Sequence, residues 1–352
     1  MHLDKSSFAN IFIMSLNKNS FKAYHCNDSV NCFKYWAKEL KTTLLIFVLL
    51  FFSILSLFVG VADISISDIL LWDMDKISIV SLSRIPRTIS LILAGIGLSV
   101  CGLIMQQMTQ NKFVSPTTAG TLEAAKVGLL AGMFLIPASS MLVKGAFAFC
   151  FTFLGSLLFL FITERIRFRN VIFIPLVGLM FGGILNSIAT FFAVNHNLVQ
   201  DMNAWMMGDF SGILQGQYEL IYVSLPAIIV TYLYANKFAV VGMGRDFSKN
   251  LGLNYKAVMN IGVLCVSLTV STVIIIAGSI TFLGLVVPNI VSMVYGDNIK
   301  KTLPFVALWG AIFLLICDII GRVIIFPFEV PIGMVVGFIG GILFLLLLLR
   351  KK

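Results

Sequence analysis

The sequence predicts an all-α membrane protein of about ten transmembrane helices with both termini in the cytosol. Three observations predict it: a composition unsuited to water, recurring apolar runs of spanning length, and basic residues gathered on alternate loops. Of 352 residues, 59% are hydrophobic and 12% charged, with a mean hydropathy of +1.00. A soluble domain carries about 25% charged residues, so half the charge needed to clothe a globule in water is missing. The net charge of +9 then belongs on the cytosolic side of a membrane rather than against nucleic acid.

Residues 1–41 are polar and rich in Lys and Asn. They lack the basic, apolar and small-residue order of a secretory signal and read as a cytosolic tail, with Met14 as an alternative start. From Thr42 to the end, the chain reads as one transmembrane domain, 42–352. Stretches long enough to cross about 30 Å of hydrocarbon, roughly 20 residues each, recur at about 42–60, 88–108, 118–136, 142–163, 171–194, 219–236, 257–277, 279–295, 303–325 and 331–349. The stretch 257–295 is almost continuously apolar. At about 1.5 Å per residue one helix of that length would far exceed a bilayer, so the chain folds back. Gly278, Gly284 and Pro288 mark the return by backbone freedom and a lost amide donor. The turn must be buried in protein, because lipid cannot satisfy its backbone.

An even span count puts both termini on one side, and the charges choose which. With the N-terminus inside, 19 of the 25 Lys and Arg fall in the cytosol. Five fall outside (Lys76, Arg84, Arg87, Lys144, Arg322), and Lys126 lies within a span. This is the positive-inside bias. The six cysteines are scattered without C-x-x-C spacing, which suggests neither a disulfide framework nor a zinc site. Glycines four apart, Gly128/Gly132, Gly178/Gly182 and Gly333/Gly337/Gly341, fit close helix packing within one chain.

Enzyme chemistry is missing. There is no Gly-Lys dipeptide and hence no Walker A loop, and neither H-E-x-x-H nor G-x-S-x-G occurs. His2, His25 and His196 are too far apart for an imidazole relay of bare metal, so any metal crosses already chelated. Charges within spans are functional candidates because burying them in lipid is expensive. Glu123 and Lys126, three apart on one helical face, can pair with each other or line a path. Asp318 and Arg322, four apart, form a second such pair in which Asp318 orients Arg322. The segment G-M-G-R-D-F-S-K-N-L-G-L-N-Y-K-A-V (242–258) is long enough for two short helices broken at Gly252. Its apolar Phe247, Leu251, Leu253 and Tyr255 among charges suit a lipid surface or a partner's groove.

S-R-I-P-R-T-I-S-L-I-L-A-G (83–95) and G-L-I-M-Q-Q-M-T-Q-N-K-F-V-S-P-T-T-A-G (102–120) resemble the second-span signature of iron-siderophore and cobalamin importer permeases, the membrane subunits of type II ABC importers. W-M-M-G-D-F-S-G (205–212), N-L-G-L (250–253), A-G-S-I-T-F-L-G-L-V-V-P-N-I (277–290), D-I-I-G-R (318–322) and E-V-P-I-G (329–333) follow in the family's order. The resemblance covers about 60–352 and implies a cobalamin-importer-permease-like bundle. Q-N-K-F-V-S-P-T-T-A-G, F-I-P-L-V-G-L-M, N-L-G-L-N-Y-K and G-R-V-I-I-F-P-F-E look most like permeases for ferric catecholates of the petrobactin and enterobactin kind.

The resemblance implies that 242–258 is a coupling loop seated on a separate cytosolic ATPase subunit through Arg245, Asp246, Phe247, Ser248, Leu251, Gly252 and Leu253. ATP and Mg would be held there, with no cofactor on this chain. It further implies that Arg84, Arg87 and Arg322 receive acidic residues of an extracellular substrate-binding lipoprotein, with interfacial snorkelling as the plainer reading. A second permease chain, identical or different, completes a central path lined by Met105, Gln106, Glu123 and Asn186. Two departures weaken a cobalamin cargo: R-F-R-N-V-I (167–172) where cobalamin members have an S-T-S-like stretch, and Asn289 where they have His. Haem and cobalamin stand as alternative cargoes, and an ion-coupled secondary transporter using Glu123 is the rival class. The expected location is the bacterial cell membrane.

Overall fold

The computed structural model describes residues 29–60, 74–137, 140–165 and 173–350, with the side chains of 29–41 and 350 left aside. Of the features above, the tail up to residue 28 with Met14, and R-F-R-N-V-I (167–172), lie outside the described residues. Two compact units divide at Ile46 and Phe47. The first ends within helix α1 (Ser29–Phe58). The second holds α2 (Met74–Met108), α3 (Thr121–Leu135), α4 (Met141–Arg165), α5 (Phe173–Asn195) and the short α6 (Val199–Trp205). After a 3₁₀ turn (Tyr218–Val223) follow α7 (Ser224–Leu233), α8 (Ala235–Gly242), α9 (Arg245–Asn250) and α10 (Tyr255–Ala277). The chain closes with α11 (Leu283–Tyr295), α12 (Ile299–Val323) and α13 (Ile332–Arg350).

Among the described residues, six helices are long and apolar enough to cross a bilayer. A seventh is added if the 3₁₀ turn with α7 and the following α8, bent by 64° from one another, count as one span. The apolar part of α1 (Thr42–Phe58) and α11 are shorter. The sixth expected run is therefore a broken element rather than one straight helix.

Helix α2 is the axis of the second unit. It packs on α12, α11, α10, α7 and α8, and 78% of its most apolar window is buried, as is that of α10. The corresponding shares in α4, α5 and α13 are 33%, 28% and 22%, so those helices present their flanks to lipid or to another chain. The expected span 88–108 begins earlier, at Met74, because a π turn over Val80–Arg84 accommodates Pro86. Proline at that position deprives the carbonyl four residues earlier of its helical donor. That carbonyl, Leu82, accepts instead from the Gln215 N–H at 2.9 Å.

Two close crossings explain the burial. A methyl group on Gly95 would stand 2.6 Å from the Gly310 carbonyl of α12, and one on Gly102 would overlap the Gly284 carbonyl of α11. Contacts this tight replace the hydrophobic drive that lipid withholds from helix association. The four-apart glycines pack within the chain at Gly128 against Phe147, Gly178 against Thr118 and Gly333 against Met207, while Gly341 faces open space.

The stretch 257–295 folds back at Gly278 as expected, while the other two expected markers, Gly284 and Pro288, lie beyond the turn. The return runs from Gly278 (φ 80°) to Phe282 (φ 63°). Gly284 and Pro288 lie inside α11, where Pro288 frees the Gly284 carbonyl that abuts Gly102. At 13 residues, α11 is only about 20 Å long.

Candidate functional site: a buried arginine cluster and a loop at opposite ends of helix α2

One end of α2 carries a buried charge cluster. Asp318 of α12 accepts from Arg87 through Nε at 3.1 Å and Nη2 at 2.8 Å, and pairs on its other oxygen with Arg322. Arg87 Nη1 also donates to Glu329 Oε2 at 2.7 Å. Arg322 Nη1 turns to the end of α1, donating to the carbonyls of Ser56 at 3.0 Å and Val59 at 2.8 Å. Arg84 does the same for Leu57 at 2.6 Å. The last carbonyls of a helix lack intrahelical donors, and these two guanidinium groups supply them. Arg84, Arg87 and Arg322 are 6%, 9% and 4% exposed. The sequence reading of Asp318 as a partner that orients Arg322 matches this geometry; the reading of all three arginines as surface receptors meets side chains that are buried and directed to acceptors of their own chain. Glu329, 24% exposed at its side chain, was not foreseen as part of the cluster. Its position, 242 residues beyond Arg87, gave no local signal.

Twenty residues beyond Arg87 the same helix reaches Gln107, about 30 Å away at 1.5 Å per residue, which is one hydrocarbon thickness. Gly242, at the end of α8, packs against Gln107, and Gly244 faces Gln110. The arginine cluster and the 242–258 loop thus lie at opposite ends of one bilayer-long rod. The loop holds one short helix, α9, rather than two: after the break at Gly252 the chain enters the long helix α10 directly. Asn254 caps that helix, its side chain accepting from the Ala257 N–H at 3.2 Å. Helix α9 ends in a Schellman turn. Leu253 N–H bonds the Ser248 carbonyl at 3.0 Å, and Gly252 N–H the Lys249 carbonyl at 2.9 Å. Gly252 sits at φ 74°, the left-handed position this turn requires.

Ser248 is fully buried, and its Oγ donates to the carbonyls of Val240 at 2.9 Å and Gly244 at 2.7 Å. This pins α9 onto α8. Arg245 lies 3.8 Å from Glu164 at the end of α4, while Asp246 and Leu253 belong to the same compact loop. Met243, Phe247 and Leu251 are 63%, 47% and 61% exposed. Spaced four apart, they make one exposed apolar face on the loop.

The four expected path residues do not converge. Met105 and Gln106 are buried on α2, where Gln106 Nε2 has no hydrogen-bond partner among the described residues. Glu123 of α3 and Asn186 of α5 belong to two helices that pack together, and Lys126 Nζ donates to Asn186 Oδ1 at 2.8 Å. Among the described residues Glu123 and Lys126 form no ion pair within 4.0 Å, and the closer partner of Lys126 is Asn186 across helices. Glu123 Oε2 is buried without a hydrogen-bond partner among the described residues. Asn289 holds the return of the chain after α2, donating to the Lys112 carbonyl at 2.8 Å.

Three motifs far apart in sequence meet in one knot. Asp209 N–H bonds the Ala277 carbonyl at 2.7 Å, Ser279 Oγ donates to the Met206 carbonyl at 2.8 Å, and Gly333 N–H bonds the Gly208 carbonyl at 2.8 Å. The segments 205–212, 277–290 and 329–333 are therefore structural partners of one another.

Known proteins share this chain's sequence and architecture. It is 50% identical over 313 residues to the petrobactin import system permease protein YclN of Bacillus subtilis, covering 89% of this chain and 99% of that protein. It is 46% identical over 268 residues to the ferric-anguibactin transport system permease protein FatD of Vibrio anguillarum, covering 76% and 85%. A solved structure described as an inward-facing metal-chelate type ABC transporter has the same fold, with a TM-score of 0.76 at 20% identity over 89% of this chain and 99% of that one. Together with a family model that matches residues 48–350, these place the chain in the FecCD transport family.

Proposed function

We propose that this chain is the permease subunit of an ATP-driven importer of ferric siderophores, catecholates first among them. It is an integral protein of the bacterial plasma membrane and belongs to a family of permeases rather than enzymes. The observation that carries the cargo is the 50% identity to a permease named for petrobactin import, over nearly the whole of both chains. In this reading, separate cytosolic subunits hold ATP and Mg, an external lipoprotein delivers the chelate, and a second permease chain closes the path.

The exposed face of Met243, Phe247 and Leu251 would seat on the ATPase. Arg245, Asp246, Ser248, Gly252 and Leu253 would hold that face in shape. Docking of the binding protein would go through Arg87, whose partner Glu329 is the most accessible member of the outer cluster. Arg84 and Arg322 would fix the end of α1 beneath it. The α3–α5 face, with Glu123, Lys126 and Asn186, would line the path, and Met105 and Gln106 of α2 would contribute to it from a separate part of the bundle. These side chains are expected to hold the chelate weakly, since specificity rests with the delivering protein.

The test is uptake of radiolabelled iron, presented as a ferric catecholate, by iron-starved cells carrying the intact chain, a deletion, Gly252→Arg or Leu251→Asp. The proposal requires that the deletion and both loop variants abolish uptake while the variants still reach the membrane. Undiminished uptake in the deletion strain, with redundant importers removed, would refute the catecholate assignment and move the test to haem and cobalamin. Uptake that survives loss of the ATPase but stops with a protonophore would instead support an ion-coupled transporter.

A further inference from the structure

We propose that the cleft between α4, α10 and the 3₁₀ turn before α7 is a phospholipid site selective for a phosphatidylethanolamine headgroup. Two adjoining cavities form it, sharing Met141, Leu142 and Leu220. The wider one, about 650 Å³, is a polar mouth lined by Ser140, Lys144, Trp205, Gln217 and Glu219. The narrower one, about 220 Å³, continues as an apolar slot past Ala146, Phe149, Val223, Leu268 and Ile275.

A polar mouth above an apolar slot, in a chain whose surrounding solvent is lipid, has the shape of one lipid. The headgroup sits in the mouth and an acyl chain in the slot. Lys144 supplies the cation. It stands in the first turn of α4, where the helix dipole disfavours positive charge, so helix electrostatics do not account for it. Its Nζ lies 5.6 Å from the centroid of the Trp205 ring, and it makes no ion pair within 4.0 Å among the described residues. Glu219 supplies the carboxylate. Its Oε1 accepts from the Gly216 N–H at 2.8 Å, which leaves Oε2 for a ligand. One cation and one carboxylate in the same mouth complement a phosphate and a primary ammonium. An anionic headgroup would leave Glu219 opposed, and a quaternary ammonium cannot donate to it. Tryptophan at such a mouth suits the interfacial zone of a bilayer.

The experiment reconstitutes the full chain in nanodiscs of equal parts phosphatidylethanolamine, phosphatidylglycerol and phosphatidylcholine with matched acyl chains. Lipids retained after transfer to detergent are counted by native mass spectrometry. The expected result is one retained phosphatidylethanolamine per chain, enriched about tenfold over the other two, a ratio that corresponds to about 1.4 kcal/mol. Lys144→Gln and Glu219→Gln should each remove the enrichment. Ala146→Trp, at an exposed position in the slot, should expel the lipid whatever its headgroup. Equal retention of the three headgroups, retention unchanged by all three variants, or an empty site in a chain dimerised through this face would each overturn the proposal. Because no variant touches the 242–258 loop or the α3–α5 face, failure here is distinguishable from failure of the importer assignment.

Discussion

Replacing Asp318 with asparagine tests the arginine cluster directly. Among the described residues, Asp318 is the only carboxylate shared by Arg87 and Arg322, both buried, and its own side chain is 1% exposed. In the Asp318→Asn variant the two guanidinium groups face each other across a neutral amide, with Glu329 left to compensate Arg87 alone. Removing one partner of a buried ion pair costs about 3–5 kcal/mol, mostly because the surviving charge stays buried. At roughly 2 °C per kcal/mol for a chain of this size, the melting temperature in detergent should fall by about 6–10 °C. Glu329→Gln is the control. Its side chain is 24% exposed and touches the cluster through Arg87 only, so its loss should approach the surface-pair range, about 1 kcal/mol or less. The assay is the temperature at which the monodisperse size-exclusion peak of the purified protein halves. If Asp318→Asn costs no more than Glu329→Gln, the shared carboxylate is not what holds α1, α2 and α12 together, and the reasoning fails.

Further outcomes follow from other contacts. Gly102→Ala should cost about 1–3 kcal/mol, the range for forced overpacking, since its methyl would overlap the Gly284 carbonyl; Gly183→Ala, with nothing within 4 Å, should leave the same melting assay unchanged. Gly278→Ala should lose about 1–3 kcal/mol from its backbone alone, because φ 80° with ψ −160° is a region essentially confined to glycine, with more from crowding against Trp205 and Gly208, again read as melting temperature. Ser248→Ala removes a hydroxyl with two carbonyl acceptors and should cost about 1 kcal/mol. Its sharper signature should be faster proteolytic cleavage at Lys249 than in the wild type, with the temperature of the bulk unfolding nearly unmoved.

Much of this architecture is written in local pattern. Each apolar run expected from the sequence contains helix, because spanning length and hydropathy are properties of contiguous residues. The loop at 242–258 was visible for the same reason: Gly252 and the apolar residues around it lie within one short window. What the pattern hides is pairing at long range. Nothing near Arg87 points to Glu329, and nothing near Leu82 points to Gln215. The crossings of α2, Gly95 on Gly310 and Gly102 on Gly284, are made by glycines without the four-apart spacing that draws the eye, whereas the contact of Gly178 with the Thr118 carbonyl does involve one of the four-apart pairs. Glu123 and Lys126 share a helical face without closing into an ion pair, because spacing permits a contact without choosing it and Asn186 on the neighbouring helix takes the Lys126 hydrogen bond. The second short helix of the loop was absent because Asn254 caps α10 immediately after the Gly252 turn.

The short return helix constrains how the chain is made. At about 20 Å, α11 falls well short of the hydrocarbon thickness and cannot rest alone across a bilayer as it leaves the ribosome. It must enter with α10 as a hairpin, its turn at Gly278–Phe282 shielded from lipid by the segment around Trp205–Gly208, which has already been synthesised. The last fastening, Gly333 to Gly208, waits for the final helix. Biogenesis therefore completes from the C-terminus inward: a chain truncated before α13 would carry every other helix and still lack the clasp over its re-entrant turn.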